Sequence, residues 1–208
     1  MGQLFTIGHS TNEAAHLLEN LKRHQVDFVL DVRSMPYSKY ASQYNKEAIQ
    51  AFLKNHGIAY YHMAKYFGAR LPDRSLYHPE GYLDFEKVRA SYLFQKGMEN
   101  VQKGLESGHN IALMCTEKRP IDCHRAIMVA RGFELVGIKA MHILNDGSLM
   151  TQDALNEELL NRYFKNRDQL SLELDFDNHD TSDELTEAYR RRNKEIGYRL
   201  GEEEKILE

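Results

Sequence analysis

At 208 residues, 42% of them hydrophobic and 10% aromatic with only 4 prolines, the chain has the composition of a folded globular protein with room for one sizeable core. The net charge of -4 hides an asymmetry: Ser171 to Glu208 carry 12 acidic and 6 basic residues, leaving 21 basic against 19 acidic in Met1 to Leu170, too even a body for a general nucleic-acid face. No run approaches the roughly 18 unbroken apolar residues of a membrane helix, nothing at the start reads as a leader peptide, and 2 cysteines are too few for a disulfide framework, so a cytoplasmic protein without a membrane partner is expected.

Gln3 to Ile7 reads as a short buried strand that ends in Gly8-His9-Ser10-Thr11. Ala14, Leu17, Leu18 and Leu21 then recur at helical spacing, and Ser10 with Glu13 has the form of a capping box. Asp27 to Arg33 is a second strand, its continuous apolar centre typical of a parallel sheet covered on both faces. A Pro36 loop leads to a helix over Gln43 to Asn55, closed by Gly57. Ile58 to Met63 reads as the third strand. The irregular stretch from Ala64 to Tyr82, with Gly68, Pro72, Pro79 and Gly81, is long enough to cover a site.

A long helix is predicted from Asp84 to Glu106, a fourth strand from Asn110 to Cys115, a helix from Cys123 to Val136 and a fifth strand from Ala140 to Leu144. Strands alternating with helices predict a Rossmann-like α/β fold: an open, mostly parallel sheet of about five strands with helices on both faces and right-handed crossovers. Residues 1–165 are read as one domain and 166–208 as an acidic, partly helical extension, with a helix over Asp183 to Ile196 and a weak strand candidate at Leu170 to Leu174.

In an open parallel sheet, ligands bind beyond the carboxyl ends of the strands. Strand one delivers His9 and Ser10 there, strand two Asp31 and Arg33, strand three His62, and strand four Cys115 and Glu117, with Cys123, His124 and Arg125 on the loop that follows. Each residue alone has an ordinary role: Ser10 as a helix cap, Cys115 as a small buried hydrophobe, Asp31 and Arg33 as a mutual pair. Together they outweigh that reading, because packing does not require polar groups at the same end of four strands.

Three chemistries fit the set. In the first, Cys115 or Cys123 is a nucleophile, His9, Glu117 or His124 moves protons, and Ser10, Asp31, Arg33 and Arg125 hold a small anionic or nucleotide-like substrate. In the second, Cys115, Cys123 and His124 ligate zinc or iron. The third is a redox or regulatory module in which the two sulfurs pair reversibly. A thiol-phosphatase loop needs arginine six positions after its cysteine; Ile121 and Val129 stand there instead. No G-x-G-x-x-G or Walker pattern occurs, so no nucleotide cofactor is expected. Tyr66, Tyr77 and Tyr82 of the long loop are candidates for stacking on a base.

With "TIGHST" (Thr6 to Thr11), "DVRSMPYS" (Asp31 to Ser38), "HGIAY" (His56 to Tyr60) and "CTEKRPIDCHR" (Cys115 to Arg125) in this order, the chain resembles the bacterial and archaeal family known as domain of unknown function 488. The resemblance implies a compact α/β domain whose signature residues are those of the rim. Tyr44 stands where that family commonly has phenylalanine, and Phe67-Gly68-Ala69-Arg70 where a double glycine precedes the basic residue.

Overall fold

Alternation along the strands sorts the core into two halves. Phe5, Ile7, Val29, Ala112, Met114 and Ile143 point to one side of the sheet, while Leu4, Leu30, Val32, Leu113 and Cys115 point to the other. Both sides of every central strand are therefore apolar, which is why these segments read as continuous hydrophobic runs.

The computed structural model describes residues 1–164 and 181–201. The sheet has six strands in the order β3-β2-β4-β1-β5-β6. These are β1 (Leu4–Gly8), β2 (Phe28–Asp31), β3 (Ala59–His62), β4 (Ile111–Cys115), β5 (Met141–Ile143) and β6 (Leu149–Thr151). All neighbours are parallel except β5 and β6, which form a hairpin. The α/β class is as expected, with one strand more.

Helices α1 (Ala14–Arg23) and α2 (Lys46–Asn55) cover the first face through Leu17, Leu18, Leu21, Ile49 and Leu53. The second face carries α3 (Ala64–Phe67), α4 (Phe85–Ala90), α5 (Tyr92–Glu106), a π-helical turn over Arg125–Ala130, α6 (Arg131–Glu134), α7 (Gln152–Tyr163) and α8 (Thr181–Ile196). The single helix predicted over Asp84 to Glu106 is two helices. Ser91 adopts extended backbone and its hydroxyl caps the N–H of Phe94, which ends α4 and starts α5. The chain leaves β1 toward the first face and β4 toward the second, so the loops after these adjacent strands diverge and open a crevice between them.

Helix α8 begins two residues before its predicted start, and Ala188 and Tyr189 bury themselves in the second-face core. Asn193 accepts from the Phe85 N–H at 2.8 Å and donates to the Leu83 carbonyl at 2.8 Å, and Leu83 N–H bonds the Tyr198 carbonyl at 2.8 Å. The strand candidate at Leu170 to Leu174 lies outside the described residues. Among the described residues, no helix is long and apolar enough to cross a membrane.

Candidate functional site

The last residue of β4, Cys115, pairs in register with Gly8 of β1, and Met114 pairs with Asp31 at the end of β2. Past Cys115 the chain makes an exposed loop, a 3-10 turn over Pro120–Asp122, and then the extended residue Cys123 (φ -136°, ψ 138°) ahead of the π-helical turn. Arg125 folds this loop back on itself. Fully buried, its Nη1 donates to the Glu117 carbonyl at 2.6 Å and its Nη2 to the Lys118 carbonyl at 3.3 Å, while its Nε has no hydrogen-bond partner. Gly8 makes the return possible: a Cβ there would stand 1.9 Å from the Glu117 carbonyl oxygen.

The folded loop gathers four donor groups. Cys115, Glu117, Cys123 and His124 each offer one atom, and these atoms all lie within 4.8 Å of one another. His124 Nδ1 is 3.8 Å from Cys115 Sγ and 3.9 Å from Cys123 Sγ. Its Nε2–H donates to the Val32 carbonyl at 3.0 Å, which fixes the proton on Nε2 and leaves Nδ1 facing both sulfurs. Both thiols are free and buried.

Charge is unevenly divided between the sulfurs. Burial pushes the Cys115 thiol well up, and the neighbouring Cys123 adds to the shift. Burial acts on Cys123 in the same sense, but the Cys115 thiol, the Arg125 charge and His124 outweigh it and pull Cys123 well down. Arg125 N–H also donates to Cys123 Sγ at 3.4 Å. Glu117 is exposed at the cleft as a residue, yet the protein crowding its carboxyl and then the Cys123 charge push it up, and its Oε2 is 2.8 Å from Cys123 Sγ. Two anions at that distance would repel, so one proton is shared between the sulfur and the carboxylate oxygen. Burial lowers His124, yet Cys123 and Glu117 overcome this and raise it.

A second cluster lies beside the first. Asp31, wholly buried, takes Arg33 Nη2 at 2.5 Å and Nε at 2.9 Å, together with the Tyr60 hydroxyl at 2.7 Å. Arg33 Nη2 also donates to the Tyr44 carbonyl at 2.8 Å, and Nη1 to His9 Nε2 at 3.1 Å. His9 returns its Nδ1–H to the Ser10 carbonyl at 2.7 Å and stacks on Tyr44 with ring centroids 3.9 Å apart. Burial, then Arg33, lowers His9 to about 4, so it is neutral.

A cleft of about 360 Å³ opens over the cysteine loop, lined among others by Arg33, Arg70, Cys115, Glu117, His124 and Tyr198. Cys115, Glu117 and His124 thus face the cleft, with Cys123 packed behind them. Of the other residues singled out in the sequence, Arg33 reaches the cleft, whereas Asp31, His9 and Ser10 belong to the neighbouring network and Arg125 lies beneath the loop. Ser10 adopts φ +51° and its N–H bonds the Thr116 carbonyl at 2.8 Å, so it ties two loops together while Glu13 holds the cap position of α1. His62 Nε2–H donates to the Arg33 carbonyl at 2.8 Å. Tyr77 and Tyr82 are packed into the body rather than offered for stacking.

Sequence reasoning missed the far wall of the cleft, which comes from Arg70 and from residues 195–199, the end of α8 and the turn that follows it. Arg192 seats that wall: its Nε donates to the Ile121 carbonyl at 2.9 Å and its guanidinium pairs with Asp122 and Glu195.

The family model described as Domain of unknown function DUF488 matches residues 13–131, more than half of the chain. The chain belongs to this family. The matched span holds Arg33, Arg70 and the whole DUF488 cysteine loop, begins after Gly8 and His9, and ends before α7 and α8. No curated protein and no solved structure matches the chain significantly.

Proposed function

We propose that this DUF488 protein is a metal-binding protein in which Cys115, Cys123 and His124 hold a thiophilic divalent ion, zinc foremost, at the floor of the cleft. The observation that carries the reading is the aim of His124. Its Nε2–H is spent on Val32, and its Nδ1 faces two sulfurs at 3.8 and 3.9 Å. Those distances are long for N–H···S hydrogen bonds. In a tetrahedral site with Zn–S near 2.3 Å and Zn–N near 2.0 Å, neighbouring ligand atoms stand roughly 3.6 Å apart. A carbonyl on the far nitrogen is the usual support of a metal-bound imidazole. Two thiolates, an imidazole and a carboxyl suit zinc or iron over magnesium or calcium.

Glu117 sits at the cleft side of this set. A carboxyl with a raised pKa, next to two ligands that face a cavity, suits a centre that works on a bound molecule more than one that only braces the fold. The site is accordingly read as enzymatic, acting on a small anionic substrate.

Metal analysis of protein purified without added metal tests the reading. About one equivalent of zinc or iron is expected, lost in the Cys115→Ser, Cys123→Ser double variant, and cobalt(II) loading should give a thiolate-to-cobalt charge-transfer band. Metal-free wild-type protein that fails to take up cobalt rejects the metal site.

A second reading keeps the same residues and makes Cys123 a nucleophile. It rests on the Arg125 N–H at 3.4 Å and on the downward shift of that thiol. Alkylation of metal-free protein across pH should then titrate one thiol well below the ordinary cysteine range. If both cysteines react only at alkaline pH, this reading is lost.

A further inference from the structure

The charges around the cleft are unevenly paired. Arg33 is matched by Asp31. Asp122 and Glu195 are both matched by Arg192, and Glu195 also meets Arg162. Lys194 is matched by Glu80. Arg199 spends both its terminal nitrogens on the Glu80 and Lys194 carbonyls and lies over the Tyr82 ring. Arg70 is different: among the described residues its guanidinium meets neither a carboxylate nor a backbone carbonyl. Nη1 approaches only the Met35 sulfur, at 3.5 Å, and the group lies 5.0 Å from the centre of the Tyr198 ring.

This cation is nevertheless held in place. Its backbone N–H donates to Ser34 Oγ at 2.9 Å, in the loop directly after Arg33, and Tyr198 is pinned by its carbonyl to Leu83. An arginine fixed at its root, backed by an aromatic face and with most of its fork unspent, matches the geometry that takes a planar or tetrahedral anion in two hydrogen bonds.

We propose that Arg70, supported by Tyr198, forms the anion-recognition wall of the cleft and takes the phosphate or carboxylate group of a small ligand. The rest of the ligand extends across the cleft toward Glu117 and His124. A volume of about 360 Å³ suits a molecule the size of an aryl phosphate or a short carboxylic acid. The proposal rests on the metal reading only for the direction in which the ligand points. Arg125, the sequence's obvious anion binder, is excluded from the contact because its terminal nitrogens are committed to loop carbonyls beneath the site.

The test uses the full chain, with metal content measured first, and titrates phenyl phosphate, inorganic phosphate and benzoate by calorimetry and by amide chemical shifts. Phenyl phosphate or benzoate is expected to bind with a Kd of about 1 mM or tighter, the stronger of the two telling phosphate from carboxylate. In the wild-type protein, the shifts should cluster at Arg70, Ser34 and Tyr198. Arg70→Gln should weaken binding about tenfold or more, ~1.4 kcal/mol, Arg70→Lys less, and neither should change metal content. Repeating the titration on chelator-treated protein separates the two proposals: Arg70-dependent binding that survives without metal stands even if the metal site fails. An Arg70→Gln protein that binds like wild type, shifts that map elsewhere, or no binding of any probe up to about 10 mM would each overturn the inference.

Discussion

Two polar clusters sit side by side at the carboxyl ends of the same strands, and they differ in whether they are finished. The Asp31, Arg33, His9, Tyr60 cluster closes on itself: one anion, one cation, a neutral imidazole and a phenol, with their main donors matched to acceptors. The Cys115, Glu117, Cys123, His124 cluster gathers three acidic groups around one imidazole, and its nearest buried cation, Arg125, points its terminal nitrogens at backbone. A closed network holds a fold together, whereas a surplus of like donors in a cleft calls for a ligand. Proximity to a rim therefore does not by itself make a residue functional; the balance of charge and hydrogen bonds around it decides.

The largest expected effect lies in the closed cluster. Arg33→Met leaves the Asp31 carboxylate buried without its cation and should cost about 3–5 kcal/mol in urea unfolding. The metal-free Cys115→Ser, Cys123→Ser protein should lose no more than about 1–2 kcal/mol. Similar costs for the two would erase the distinction drawn here.

Next comes the response to pH of a closed pair elsewhere in the core. His142 accepts from the Thr6 hydroxyl at Nδ1 and donates from Nε2 to Gln152. Burial, then the Arg125 charge, lowers it from 6.5 to about 4. The folded form therefore keeps His142 neutral while the unfolded chain takes up a proton below about 6.5. Its contribution is complete above that pH and declines as pH falls toward 4, by roughly 3 kcal/mol in all. Stability curves of wild type and His142→Gln at pH 7 and pH 4.5 check the sign: the variant should fall less.

Smaller still, Tyr60→Phe removes one hydrogen bond to the Asp31 carboxylate and should cost about 1.5–2 kcal/mol by the same measurement. At the bottom of the range, Asp153→Ala breaks an exposed pair with Lys139 and should leave the urea midpoint unchanged, which sets the baseline for the others.

Much of this was legible along the chain. β1, β2 and β4 announced themselves because both faces of each are buried, and the cysteine loop because its four donors lie within one short stretch. β6 left no signal: it is three residues long and mostly exposed. The Ser10 and Glu13 pattern matched a capping box, but tertiary hydrogen bonding to Thr116 holds Ser10 in a left-handed conformation that a cap does not use. Arg125 read as an anion binder because its true partners, two backbone carbonyls, have no sequence signature. Arg70 and Tyr198 stay silent for a related reason: only folding brings a loop and the segment after α8 to one wall.

That wall straddles the end of the family span, with Arg70 inside it and its aromatic support outside. The donors of the floor lie inside the span that defines the family, whereas Tyr198 and its seat on Arg192 lie well past residue 131. A chain cut back to the matched span would keep the four donors and Arg70 but lose the aromatic face that backs the Arg70 guanidinium.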